Sequence, residues 1–319
     1  MKKKLLKGLA VLGAACASME VYNRITYAKV KKLENTLSGE TGYHDTVFGK
    51  VFYTKKGFGP SLLLVHDTSV GSSSFLWRNN FEELANNFTV YAIDLPGFGR
   101  SEKRPLTYTS EVYTYVIKNF VDEVIGKKCS CISSSLSSAY AIQVEHDDPG
   151  TFDRIIAISP TGIFHKSDIP GSLGKVTTKA FNIPIVGSFV YNILSSKPSL
   201  SGFMKEKIYH NKDIASSYVV NHYANSAKQD GDLSKYAPAS LIGGYLNQPI
   251  SEALANLETP LYVIWGANST TNPIDNLKTF LDVNPSLNYH VFENCGEYPQ
   301  EEYAYDFNVK AIEFLSREL

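Results

Sequence analysis

Short, continuous apolar runs separated by helical patterns recur along most of this chain, and they limit its fold more than any other feature. Ser61-Leu62-Leu63-Leu64-Val65-His66 is one such run. A strand that is apolar at consecutive positions has both faces buried, as in a parallel sheet covered by helices on each side. Comparable strand segments fall at 88–94, 129–133, 154–159, 261–265 and 287–292, after an alternating segment at 47–53. Helical patterns fall at 75–86, 112–125, 137–147 and 307–319. Strands alternating with helices predict an α/β fold, a mostly parallel sheet with helices on both faces.

The stretch 160–258 breaks that rhythm. It carries Gly171, Gly174, Pro184 and Gly187 among short helical segments, with no clear strand. It reads as a helical cap over the C-terminal edge of the sheet, the edge where open α/β sheets bind ligands. The core then comprises 41–159 and 259–319, and 1–40 forms a separate N-terminal segment. Aromatic cap residues Phe181, Phe189, Tyr191, Phe203 and Tyr218 are candidates to line a pocket or to pack the insertion.

At 319 residues and 43% hydrophobic, the chain is long and apolar enough for one large domain with such an insertion. A formal net charge of -1 leaves no electrostatic footprint for nucleic acid. Cys129 and Cys131 share one strand face, whereas Cys16 and Cys295 lie far apart in sequence. The four therefore give neither a disulfide framework nor metal-ligand spacing, and no metal site is expected.

In the N-terminal segment, Lys2, Lys3, Lys4 and Lys7 surround the start of an apolar run of small residues, Gly8 to Ala17. The run is shorter than the ~20 residues of a membrane-spanning helix. It also fits a cleavable secretory signal. Met19, Tyr22 and Ile25 continue the apolar pattern at helical spacing, and Lys29, Lys31 and Lys32 follow. That continuation favours a retained helix associated with a membrane surface over a secreted or cytoplasmic chain whose helix merely packs on the domain. Cys16 lacks the leucine three residues earlier that lipidation would call for.

Several motifs share an order. Val65-His66-Asp67-Thr68, Asp94-Leu95-Pro96-Gly97-Phe98-Gly99-Arg100-Ser101, the strand-turn-helix at 133–139, Trp265-Gly266 and Pro299-x-x-Glu302 follow one another along the chain. In this order and spacing the chain resembles the α/β-hydrolase superfamily, most of all bacterial members with a basic, apolar N-terminal helix and a helical cap. The resemblance implies the α/β-hydrolase fold from about residue 47 to the end.

It also assigns positions. Ser135 stands at the nucleophile position, flanked by Ser133 and Ser137 where the Gly-x-Ser-x-Gly motif has glycines. The backbone N–H groups of Leu136 and Thr68 map to the oxyanion hole. Ser269, in Gly266-Ala267-Asn268-Ser269, occupies the acid position, and Glu297 occupies the histidine position. The family's His-Gly is His66-Asp67 here. A carboxylate about 4 Å from a developing oxyanion opposes it by roughly 4 kcal/mol at an effective dielectric near 20. The alternative is that Asp67 turns away and caps the following turn. His66 is expected to hydrogen-bond within its loop rather than act as a base. Asp168 is a distant alternative for the acid. His44, His146 and His290 fall in no catalytic position, while His165, His210 and His222 lie in the cap, above the site.

The triad positions thus read Ser135, Ser269 and Glu297. Both losses fit together, because without an imidazolium the acid has nothing to orient. A glutamate with an ordinary pKa of about 4.3 is a poor base for a serine hydroxyl, unless burial lifts it toward ~6–7. The expected function is therefore that of a hydrolase-like pseudoenzyme that binds a small hydrophobic or acyl ligand, or a partner, with little hydrolysis. The alternative is an esterase-like serine hydrolase of carboxylic esters working through Ser135. Neither implies a cofactor.

Overall fold

A computed structural model of the chain describes residues 2–163 and 170–317. The strands are β1 (Glu40–Thr46), β2 (Gly49–Lys56), β3 (Ser61–Val65), β4 (Thr89–Ile93), β5 (Cys129–Ser134), β6 (Phe152–Ile158), β7 (Leu261–Gly266) and β8 (Asn288–Phe292). They form one eight-stranded sheet in the order β1-β2-β4-β3-β5-β6-β7-β8. β1 and β2 pair antiparallel, β2 joins β4 antiparallel, and every pairing from β4 to β8 is parallel. Connections from β3 run to β4 on one side, whereas β5 and later strands add on the other. The chain therefore reverses its winding between β3 and β5, and the crevice at their C-terminal ends is the ligand position of such sheets.

The helices are α1 (Lys2–Ala28), α2 (Phe81–Ala85), α3 (Ser110–Phe120), α4 (Leu136–Asp147), α5 (Ser172–Asn182), α6 (Val186–Leu194), α7 (Lys197–Phe203), α8 (Ser217–Ser226), α9 (Tyr236–Ile242), α10 (Ser251–Ala255), α11 (Asp275–Val283), α12 (Pro299–Glu302) and α13 (Ala304–Leu315). Leu63 and Val65 of β3 join one core layer with Val116 of α3 and Tyr140 of α4, while Leu62 and Leu64 join the opposite layer with Trp77 and Phe307. Consecutive residues of one strand thus serve two cores, which explains why the run is apolar throughout.

Helices α5 to α9 fall in the stretch expected as a cap, with no strand among its described residues. His165 and Asp168 lie outside the described residues. Ala253 and Leu254 of α10 are buried in the same apolar layer as Tyr140 of α4.

Four elements differ from the sequence expectation. The helix expected at 75–86 is a 3-10 turn at Ser74–Trp77 followed by the short α2. Asn80 interrupts it, because its buried side chain donates to the Gln300 carbonyl and to Asn308, both at 2.9 Å. The strand expected at 47–53 extends to Lys56, since pairing with β4 carries it past the alternating residues. β1 is unanticipated: its sequence, ETGYHDT, is nearly all polar, as suits an exposed edge. The helix expected at 112–125 ends as α3, and a wider π turn at Val121–Ile125 completes it.

The N-terminal helix α1 is 27 residues long. Residues 7–15 are exposed, with apolar side chains on all sides. Its C-terminal part docks on α6. Asn23 donates to the Ile185 carbonyl at 2.9 Å and accepts from Asn192 at 3.0 Å, and the Tyr22 ring meets Phe189 at 5.2 Å. Among the described residues, no helix is long and apolar enough to cross a membrane.

Candidate active site

Ser135 sits between β5 and α4 with φ 54° and ψ −122°. Such a backbone is strained for any residue with a Cβ, and strain of this kind concentrates at functional sites. The turn is held because Ser135 N–H donates to the Ile158 carbonyl at 2.8 Å and its own carbonyl accepts from Ser138 N–H at 3.1 Å. The serines that replace glycines are accommodated by hydrogen bonds. Ser137 donates to the His66 carbonyl at 2.6 Å, and Ser138 donates to the Ser133 carbonyl at 2.9 Å. Ser137 thereby ties the elbow to the loop after β3.

Glu297 lies in the loop after β8, only 3% exposed. Its carboxyl accepts from the Ser269 hydroxyl, and from the Thr271 hydroxyl at 2.6 Å. The Ser135 hydroxyl lies near enough to act on the same carboxyl, so the structure brings Ser135, Glu297 and Ser269 together. Burial pushes the Glu297 carboxyl up to about 7; the Ser269, Thr271 and Ser135 hydroxyls oppose that rise, and the nearby Asp67 charge adds to it.

Thr271 escapes sequence reasoning. The only signal for it is a second hydroxyl two residues beyond Ser269. Ser269 also accepts from Asn272 N–H at 3.3 Å, and Asn272 donates to the Ser159 carbonyl at 2.7 Å, which knits the ends of β6 and β7 together beneath Glu297.

Close approach of the loops requires glycine. A Cβ on Gly266 would strike the Gly296 carbonyl, and one on Gly296 would strike the Ile208 carbonyl of the cap. The Glu297 N–H donates to that same Ile208 carbonyl at 2.7 Å.

Asp67 is buried yet turned into its own loop. It accepts from Ser69 N–H at 3.0 Å, from the Ser72 hydroxyl at 2.6 Å and from the Tyr298 hydroxyl at 2.8 Å. Of the two expectations for Asp67, the capped turn is the one seen, although its charge still acts on Glu297. Tyr298 is a second residue missed from sequence, identifiable only as the neighbour of Glu297. His66 donates from Nδ1 to the Asp67 carbonyl, and its Nε2 accepts from Leu95 N–H at 2.9 Å. Both nitrogens are engaged, and burial holds the imidazole below its usual range. Leu136 is the first residue of α4, where helix N–H groups lack intrahelical acceptors. Thr68 is buried in the loop after β3.

His210 and His222 do not enter this cluster. His210 is exposed, with its N–H on Glu302 at 3.3 Å. His222 stacks on Phe75 at 3.7 Å, and burial lowers it to about 3.

An apolar cavity of about 250 Å³ is lined by Ser69, Leu200, Phe203, Met204, Ile208 and Tyr298. Ser135 and Glu297 do not line it; its link to them is through Ile208, whose carbonyl accepts from the Glu297 N–H, and Tyr298, the next residue along. No charged side chain lines it. Of the cap aromatics named above, Phe203 lines this cavity and Tyr218 a separate groove, while Tyr191 is buried with its hydroxyl on the Ala227 carbonyl at 2.7 Å. Among the described residues no cluster of His, Cys, Asp or Glu could hold a metal ion.

The model of the Alpha/beta hydrolase family matches residues 62–309, from β3 into α13. The chain belongs to the α/β-hydrolase family. Among relatives of this hydrolase-family chain is a 2-hydroxy-6-oxononadienedioate/2-hydroxy-6-oxononatrienedioate hydrolase of Pseudomonas sp. It is 24% identical over 302 residues, which cover 92% of this chain and 99% of the relative. Among solved structures, a serine hydrolase involved in carbazole degradation (the CarC enzyme) superposes with a TM-score of 0.71 at 18% identity, covering 88% of this chain and 99% of the other. A membrane phospholipase A, described as a bacterial virulence factor, superposes with a TM-score of 0.68 at 19% identity, covering 99% of this chain and 98% of the other. These likenesses show the fold.

Proposed function

We propose that this α/β-hydrolase-family chain binds a small hydrophobic or acyl ligand in the apolar cavity lined by Ser69, Ile208 and Tyr298 and hydrolyses it little. The observation that carries this reading is the carboxyl at the proton-relay position, hydrogen-bonded to Ser269 and Thr271. A histidine that takes the serine proton becomes a cation beside the forming oxyanion. Glu297 becomes merely neutral, and Asp67 remains nearby as a negative charge. Loss of triad members lowers turnover by about 10⁴ to 10⁶. The ligand is uncharged where it enters the cavity, because a buried carboxylate without a cation or donors is strongly disfavoured. That separates it from the dioate named for the Pseudomonas relative.

One observation favours a second reading, a slow ester hydrolase. Glu297 is raised to about 7 with the Ser135 hydroxyl near it, as a tuned general base would be. In that case Ser135 Oγ attacks the acyl carbon as its proton passes to Glu297, and the carbonyl electron pair moves onto oxygen. Collapse then breaks the ester C–O bond, Glu297 returns the proton to the leaving alkoxide, and water releases the acyl group from Ser135 by the same route.

A fluorophosphonate probe combined with ester turnover separates the two. Labelling that disappears in Ser135→Ala, with measurable turnover, would establish the hydrolase. Absent turnover, together with an acyl compound identified by mass spectrometry of the purified chain, supports the binding reading.

A further inference from the structure

A groove of about 850 Å³ lies at the root of α1, between the connection 29–36 and helices α6 to α8 of the cap. Lys29, Lys31, Lys32, Lys197 and Lys228 line it, against one carboxylate, Glu34. The connection is fixed in place. Lys31 N–H donates to Asn225 Oδ1 at 2.9 Å, and the Lys31 carbonyl accepts from Asn225 Nδ2 at 2.8 Å and Gln229 Nε2 at 2.7 Å. Two walls bearing lysines are thereby held facing each other, although like charges repel.

Lys228 is buried. Its ammonium donates to the Ser195 carbonyl and to the Ala224 carbonyl at 3.2 Å, with no carboxylate partner among the described residues. An ammonium has three donors, so one is left over. Burial, and then the charge of Lys197, lower it to about 8. Closing off the end of α6 accounts for two of its bonds but not for the four other lysines around it.

A second observation concerns α1 itself. Above the groove, the ten residues Gly8 to Ala17 carry no charged side chain, and all but the half-buried Cys16 are exposed. They form an apolar rod of about 15 Å at 1.5 Å per residue.

We propose that this groove binds the phosphate of an anionic lipid headgroup at a membrane surface, with the acyl chains alongside the exposed rod of α1. An anion between Lys228, Lys197 and the connection relieves their mutual repulsion. A soluble phosphate compound accounts for the lysines but not for the rod. The site shares no lining residue with the apolar cavity at Tyr298 and is independent of the chemistry at Ser135.

The test is co-flotation of the full chain with phosphatidylcholine vesicles, with and without phosphatidylglycerol. Binding is expected only to the anionic vesicles, and it weakens with salt. Lys31→Gln with Lys32→Gln, both exposed, lowers the apparent affinity at least tenfold, from about fivefold per lysine near an anionic surface. Lys127→Gln with Lys128→Gln removes equal charge at the opposite edge of the sheet and leaves binding within about twofold. Lys228→Met, with folding checked by circular dichroism, lowers binding more than fivefold. Equal losses from the two exposed pairs, equal binding to both kinds of vesicle, or undiminished binding by folded Lys228→Met would each overturn the proposal. Calorimetric titration with inorganic phosphate is the remaining arm. Affinity matching that for vesicles would assign the groove to a soluble phosphate compound instead.

Discussion

Burial and three hydroxyl donors act on the Glu297 carboxyl in opposite directions, and burial wins. The group rises from an ordinary 4.5 to about 7. Between those values the folded chain holds a proton that the unfolded chain releases. The stability this group contributes is complete below about pH 4.5 and is lost as pH rises through about 7. Glu297→Gln should remove that loss, so its stability relative to the parent rises across this window and levels off above it, by about 3 kcal/mol in all. Urea unfolding of both proteins near pH 5 and pH 8 checks the difference. Slow hydrolysis through Glu297, where present, must show the opposite trend, rising through pH 7 as the carboxylate forms. Glu297→His with Ser269→Asp restores an imidazole and its orienting acid in the positions that already hydrogen-bond. Ester turnover is expected to rise, and adding Asp67→Asn should raise it a further ten- to hundredfold, about 1.4 to 3 kcal/mol of barrier. No gain from any of these variants would mean that the serine-flanked elbow is itself unable to position Ser135.

Among the elements, the strand-elbow-helix formed by β5 and α4 shows how a family turn survives without its flanking glycines. Ser137 spans to the His66 carbonyl, a bond glycine could not make. Ser137→Gly is therefore expected to destabilise the chain by about 1–2 kcal/mol, from one lost hydrogen bond and the higher backbone entropy of glycine near the start of a helix. Chemical denaturation measures it; an unchanged midpoint would show that the hydroxyl adds nothing. The central strands and the positions of Ser135, Ser269 and Glu297 are legible in the sequence, because each depends on a local pattern: an apolar run, a small-residue turn, or a loop that closes a strand. Thr271, Tyr298 and Asn272 are not. Their roles come from hydrogen bonds between the ends of β3, β6, β7 and β8, which tertiary closure alone brings together. β1 and the break at Asn80 are hidden for the same reason, one being a polar edge and the other a side chain claimed by a distant loop.

For the molecule as a whole, the segment between β6 and β7 meets the loop after β8 tightly at Gly296, where a Cβ would strike the Ile208 carbonyl. Gly296→Ala should push these segments apart, lowering stability by about 1–3 kcal/mol as overpacking does. Hydrogen exchange should then quicken at residues 204–210 ahead of the sheet, and uniform protection would count against a separable cap. The bond from the Glu297 N–H to the Ile208 carbonyl gives that contact a further meaning. A ligand that enters by lifting this part of the cap breaks the bond and unseats the carboxylate with the same movement. Admission and acid–base readiness are then successive states, and the protonation of one buried glutamate becomes a gauge of whether the door is shut.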